Sequence, residues 1–177
     1  MDFWATDQGQ IITGAHRYIR AARVVRFSKE AETQGELLKV PVLHLLAHGM
    51  ELLFKYPILR AGSTQAEVSK RFGHHLWKLW MADQNANFRR DALQVAQEAW
   101  SAAAASQRWP NDDFSADPQM VLLKAIQELG HLHGRSSSFA LRYTLPGPTS
   151  APRPAFLIET FGQIAERSVK DPSYLDR

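Results

Sequence analysis

The residues best suited to chemistry lie on one short segment, His44-Leu-Leu-Ala-His48-Gly-Met-Glu51-Leu-Leu-Phe-Lys55. On a helix, which turns by about 100° per residue, these four polar side chains share a stripe about 60° wide, and the other faces are apolar. A helix of this kind belongs in the middle of a bundle, so its polar stripe must reach a cleft or find partners in the interior. The functional interpretation is a pocket or groove with an ionisable floor.

A metal site formed by His44, His48 and Glu51 is a sharper version of this interpretation, but the sequence argues against it. The zinc-protease motif has a glutamate directly after its first histidine, and three ligands on one straight helix cannot easily surround one ion. We therefore expect no metal and no cofactor. The favoured alternative is structural: Glu51 and Lys55 form an ion pair worth about 0.3 to 0.5 kcal/mol if exposed, while the histidines bond to neighbouring helices.

Two further pairs of histidines each follow a glycine at a predicted helix boundary. They are His74-His75 after Gly73, and His131 with His133 after Gly130. Such histidines can act as general bases or RNA contacts, but at a helix end they also bond to terminal carbonyls and complement the helix dipole. We favour the structural role for each of the four.

The predicted first helix carries a ribbon of basic residues, namely Arg17, Arg20, Arg23, Arg26 and Lys29. Exposed together, they would contact nucleic-acid phosphates without reading sequence, and the affinity would fall steeply with salt. A solvated face neutralised by acidic neighbours is at least as well supported. The net charge of +3 permits nucleic acid as a partner without requiring it.

Composition is that of a globular domain. The 177 residues, 45% of them apolar, suffice for one domain with a sizeable core, and the five tryptophans are expected in the core or a dimer interface. The lack of cysteine excludes disulfides, thiolate zinc sites and cysteine nucleophiles. The first twenty residues lack the apolar segment of a secretory signal, and polar residues interrupt the apolar stretch 40–59. We therefore expect a cytoplasmic protein with no membrane contact.

Helical periodicity predicts an all-α fold, an antiparallel bundle of about five to six helices, with all 177 residues in one domain and the core in about 8–143. Pro57 should end or kink the second helix, and Gly130 should end a later one. Residues 134–154 are predicted to form a Pro/Ser-rich loop, with a short strand or helical extension at 139–143. The predicted helices cover about 8–29, 36–56, a short segment capped by Thr64 and Glu67, 74–81, 88–107, 118–130 and 155–170.

Several of these residues form a recognisable pattern. Glu51-Leu-Leu-Phe-Lys55, followed by Arg71-Phe-Gly-His74-His75-Leu76, resembles the E-L-L-x-K … Y-G-H-D-L pattern of HEPN-like bacterial domains. Leu141-Arg142-Tyr143 resembles their later arginine-tyrosine element, so that the resemblance covers about 11–143. It implies an antiparallel helical bundle, commonly a homodimer, in a superfamily that includes ribonuclease toxins and nucleotide-binding partners.

The sequence departs from the active members of this superfamily. HEPN ribonucleases have four to six residues between an arginine and a histidine, whereas three residues separate Arg71 from His75, one fewer than the motif requires. No histidine follows His133. His75 also replaces an aspartate of the pattern, and Pro57 stands where relatives continue the helix. Because cleavage without metal needs a proton acceptor and a cation on the phosphate, the departures favour binding over catalysis.

Three hypotheses follow. The first is a non-catalytic HEPN-like module that binds RNA, a nucleotide or a partner protein. Its ligand groove would be formed by Glu51, Lys55, Arg71, His74, Arg142 and Tyr143. Nucleic acid would be contacted by Arg17, Arg20 and Arg23. The second is a metal-independent ribonuclease with a degenerate site of His74, His75 and Arg142. The third is a homodimeric interaction protein without a small ligand. We also expect a structural contact, in which His74 donates to Glu51 and fastens the second helix to the corner at Gly73.

Overall fold

The computed structural model describes residues 2–109, 114–142 and 150–176, and within these ranges every regular element is helical. The all-α prediction is confirmed. The described residues contain seven α-helices, and the two short ones are predicted segments that bring the number above the five or six expected for the bundle. The helices are α1 (Asp7–Arg26), α2 (Lys29–Arg60), α3 (Gln65–Phe72), α4 (Leu76–Trp80), α5 (Ala86–Ser106), α6 (Pro118–His133) and α7 (Pro154–Lys170).

Helix α2 lies at the centre of the fold and packs against α1, α3, α4, α6 and α7. Nearly all its side chains from Val42 to Leu59 are buried or half-buried. By length and composition α2 could cross a membrane, but half of its most apolar window is buried against the rest of the chain. Core helices of globular domains share that property. The central position of α2 puts Glu51 and Lys55 in the interior.

Helix α2 is longer at both ends than the sequence predicts. It begins at Lys29, and the break expected at Gly35 is a kink at Gln34, whose backbone leaves the helical region. The prediction that Pro57 ends or kinks the helix is wrong, since α2 continues to Arg60 and its backbone leaves the helical region at Gln34 alone. The residues flanking Pro57 are almost fully buried, so the apolar packing of the last turn outweighs one lost backbone hydrogen bond.

The predicted stop at Gly130 is also wrong, because α6 continues to His133 and Gly134 caps it. Gly130 instead lies where α6 meets α4: a Cβ there would be 3.4 Å from the Cβ of Leu76. The glycine therefore serves helix packing, and the extra turn carries His133 into the interior. Beyond α6, Ser138 and Phe139 both have positive φ, and the described part of 139–143 forms turns instead of the strand or helix expected.

Helices α1 and α2 pack closely at Gly49, which gives a first testable prediction. A Cβ at Gly49 would lie 2.7 Å from Cγ1 of Ile19 and 3.2 Å from the carbonyl oxygen of Ala15, whereas one at Gly35 on the same helix would meet no atom within 4 Å. We expect Gly49→Ala to lower the free energy of unfolding by about 1 to 3 kcal/mol, because the helices must separate. Gly35→Ala should be neutral or raise it by up to about 1 kcal/mol. Urea denaturation measures both, and equal losses would contradict the close packing at Gly49.

Candidate functional site

The carboxylate of Glu51 is the centre of the best-defined polar site. Lys55 Nζ lies 2.6 Å from Oε1, while His74 Nδ1 and His133 Nε2 lie 2.9 Å and 2.7 Å from Oε2. We call these four residues the Glu51 cluster. The expected contact between His74 and Glu51 is therefore confirmed, and the expected ion pair with Lys55 is present as well.

Three separate parts of the fold supply the cluster. Glu51 and Lys55 lie one turn apart on α2, and His133 is the last residue of α6. His74 lies in the corner between α3 and α4, directly after Gly73. That corner needs its glycine, because the backbone there has φ +55 and ψ −123, a conformation that side chains disfavour. The cluster thus joins α2 to the α3–α4 corner and to the end of α6.

Three of the four members of the Glu51 cluster are buried, which decides its electrostatics. Glu51 is 2% exposed, His133 1% and Lys55 8%. Burial alone would raise the pKa of Glu51, but hydrogen bonds from His133, Lys55 and His74, together with the charge of Lys55, hold that pKa well below its usual range. An ionised carboxylate only accepts hydrogen bonds, so the ring proton sits on Nδ1 of His74 and on Nε2 of His133. Glu51 is therefore an anion held by three donors.

His74 connects the buried cluster to the surface. Its side chain is 46% exposed, and its ring centroid lies 6.4 Å from that of Phe139. The guanidinium of Arg142 lies over the same Phe139 ring, 5.0 Å from its centroid. We call His74, Phe139 and Arg142 the rim. The rim combines an imidazole, an aromatic ring and an exposed cation next to the carboxylate of Glu51, whose charge is offset by Lys55.

Two more histidines of α2 lie beside the cluster. Burial lowers the pKa of His44, and the electrostatic effects of the nearby His133 and Arg142 lower it further. Burial also lowers the pKa of His48, whose ring packs edge-on against Tyr18 at 4.4 Å between centroids. Both effects favour the neutral form of the ring. The polar stripe expected on α2, of which Glu51 is a member, thus faces partners inside the protein.

Not all of the residues predicted for a shared groove come together. Arg71 lies with its guanidinium 5.0 Å over the ring of Phe72 and lines a separate cavity near Gly62. It forms no hydrogen bond with the Glu51 cluster in the described part of the chain. His75 is exposed at the start of α4 and makes no capping bond there. Tyr143 lies outside the described residues. Of the predicted ligand residues, Glu51, Lys55, His74 and Arg142 are the ones that share a site.

The basic ribbon of α1 is divided between environments. Arg17, Arg20 and Arg23 are all exposed. Arg20 and Arg23 line a cavity of about 520 Å³ between α1 and α7, together with Lys170 and its ion-pair partner Glu166. Arg17 does not line that cavity. The ribbon therefore has an acidic neighbour on α7, as the structural alternative expects.

His133 is the member of the site that sequence reasoning missed. It was expected only to bond to carbonyls at a helix end. Because it lies 82 positions from Glu51 along the chain, no local pattern links the two residues. Its second nitrogen, Nδ1, is buried and has no hydrogen-bond partner among the described residues. The same holds for Nδ1 of His44. Phe139 was also missed as part of the rim, because the segment around it was expected to be a strand or helix.

Comparison with known proteins does not assign the chain to a family. No family model matches the chain, and no match was found among curated proteins or solved structures. The HEPN-like resemblance therefore stays an inference from the sequence patterns around Glu51, His74 and Arg142.

Proposed function

We propose that the protein is a non-catalytic, HEPN-like helical module that binds a phosphate-bearing ligand, an RNA or a nucleotide, at the rim. The observation that carries this proposal is the position of His74. Its ring is fixed from below by buried Glu51, while nearly half of its side chain is exposed beside Phe139 and Arg142. A fixed imidazole that carries a proton on Nε2 as well, next to a cation, is a suitable surface for a phosphate.

The charge balance beneath the rim supports an anionic ligand. Lys55, His74 and His133 together offset the single charge of Glu51, so the carboxylate does not repel a phosphate above it. Arg142 is exposed and keeps its charge, because guanidinium is protonated at all ordinary pH values. The ring of Phe139 adds an apolar face on which a base can stack, worth about 1 to 3 kcal/mol per base in single-stranded complexes.

The position of Arg71 supports binding over cleavage. Arg71 precedes His75 at an interval one residue shorter than the ribonuclease motif requires, and its guanidinium packs on Phe72. Catalysis would need a cation and a proton acceptor on the same phosphate.

One observation favours the ribonuclease as a second candidate. Because His74 donates its Nδ1 proton to Glu51, its Nε2 nitrogen is a proton acceptor when the ring is neutral, and Arg142 lies over the adjacent ring of Phe139. These two residues would then act as base and cation. His75, the third residue of that hypothesis, lies outside the Glu51 cluster.

The proposal is tested by fluorescence anisotropy with a labelled single-stranded RNA and a labelled adenine nucleotide, in EDTA. We expect Arg142→Ala to weaken binding about tenfold or more, as loss of a charge-assisted hydrogen bond does. Arg71→Ala is the matched control, because its exposed guanidinium also lies 5.0 Å over a phenylalanine ring. Equal losses in both variants, or no binding by the unaltered protein, would overturn the proposal.

The same samples separate the remaining hypotheses. RNA shortened by the unaltered protein and left intact by His74→Ala would establish the ribonuclease in place of the binding module. Light scattering over a range of concentrations tests the homodimer that the resemblance implies. A protein partner and a cytoplasmic location stay predictions.

A further inference from the structure

A group of possible metal ligands lies next to the Glu51 carboxylate. His48, Glu51 and His133 each offer one ligand atom, and these three atoms lie within 4.8 Å of one another. We propose that His48, Glu51 and His133 bind one divalent first-row transition cation of the zinc type. This inference concerns the interior below the rim and does not depend on the ligand proposed there.

The arrangement removes the objection that the sequence raised against a metal. Three ligands on one helix cannot surround an ion, but here α2 supplies only two of them, at positions three apart on one face. The third, His133, comes from α6. Helical bundles that bind iron or manganese use the same principle, with carboxylate and imidazole ligands projecting from facing helices. The predicted ligand His44 is thus replaced by His133.

The chemistry of the ligands indicates the class of metal. Two imidazoles and one carboxylate suit zinc and its neighbours, while calcium and magnesium prefer oxygen ligands alone. Three protein ligands leave a further position for water or for another side chain.

A second observation points to a ligand at this place. Nδ1 of His133 and Nδ1 of His44 are both buried and lack a hydrogen-bond partner in the described residues, and the two rings lie 6.5 Å apart between centroids. Because an ion on Nε2 of His133 moves the ring proton to Nδ1, that nitrogen becomes a donor next to the ring of His44, which has an unpartnered Nδ1 of its own. Since His133 itself is 1% exposed, its lone pair is directed into the protein and not into bulk solvent.

Lys55 should limit the affinity of this site. Its ammonium lies 2.6 Å from Oε1 of Glu51, where it competes with a cation for the carboxylate charge. A cation must also displace the proton that His133 donates to Oε2, because metal binding requires the deprotonated ligand nitrogen. Replacing Lys55 with methionine, which has a similar length and no charge, should therefore strengthen metal binding.

The test uses the full chain, treated with a chelator and then titrated with Co²⁺ under visible spectroscopy and with Zn²⁺ by calorimetry. We expect one equivalent of each metal and visible ligand-field bands with Co²⁺. His48→Ala and His133→Gln should each weaken binding at least tenfold, and Lys55→Met should tighten it. His131→Ala is the control, because His131 lies exposed on the same helix as His133.

His48→Ala keeps the experiment decisive if His133→Gln does not fold, since His48 makes no hydrogen bond to Glu51 in the described residues. Absence of ligand-field bands in the unaltered protein would overturn the proposal. So would bands that survive His48→Ala, or that are lost equally in His131→Ala.

Discussion

Replacement of Glu51 by alanine is expected to lower the free energy of unfolding by about 3 to 5 kcal/mol, because it leaves buried charge without a partner. Lys55 and His133 are 8% and 1% exposed and both depend on this carboxylate. For a chain of this length the loss corresponds to a fall of roughly 10 °C in melting temperature. Urea denaturation and calorimetry measure the two quantities.

The control for this variant is Glu36→Ala, on the same helix. The side chain of Glu36 is 92% exposed and lies 3.7 Å from Lys39, so its removal should change the free energy of unfolding by less than about 0.5 kcal/mol. If Glu51→Ala is no more destabilising than Glu36→Ala, then the Glu51 cluster does not hold α2 to its neighbours.

The second large effect is expected at Phe54, on another face of α2. Its ring lies 5.6 Å from Trp80, 5.2 Å from Phe88 and 5.4 Å from Phe161 between centroids, and all four side chains are fully buried. Phe54→Ala should lower the free energy of unfolding by about 3 to 5 kcal/mol, since it removes apolar contacts and leaves a cavity.

Phe27→Ala serves as the matched change at the surface, because Phe27 is 48% exposed. It should cost well under half as much. Phe54→Leu, which keeps much of the volume, should fall between the two. A loss at Phe54 close to that at Phe27 would mean that α2 is not the centre of the aromatic core.

The helices could be predicted from the sequence wherever local signals and burial agree. The capping box of Thr64 and Glu67 is present, with both reciprocal bonds, and Asp117 caps α6 as expected. The predictions at Pro57 and Gly130 failed because packing against distant helices decides where those helices end. A proline three residues before the end of a buried helix removes one backbone hydrogen bond, which the packing of the helix outweighs. A glycine that faces another helix allows the two helices to pack closely and does not end its own helix.

The site was only partly predictable, for a similar reason. Glu51, Lys55 and His74 follow from helical spacing and from the glycine corner after α3. Their energetic weight does not, because removing one partner costs a few tenths of a kcal/mol in an exposed pair but several kcal/mol when the other partner stays buried. His133 could not be assigned, since its contact with Glu51 arises only when α6 packs against α2. Arg71 was misplaced because its position in the sequence pattern does not determine which way its side chain points.

One buried carboxylate on α2 holds the Gly73–His74 corner and the end of α6. The most direct test is NMR of the histidine side chains labelled with ¹⁵N, in the unaltered protein and in Glu51→Gln. We predict that His74 is protonated at Nδ1 and His133 at Nε2, and that both ring signals shift in the variant. A ring of His74 protonated only at Nε2, with signals unchanged by Glu51→Gln, would contradict the account.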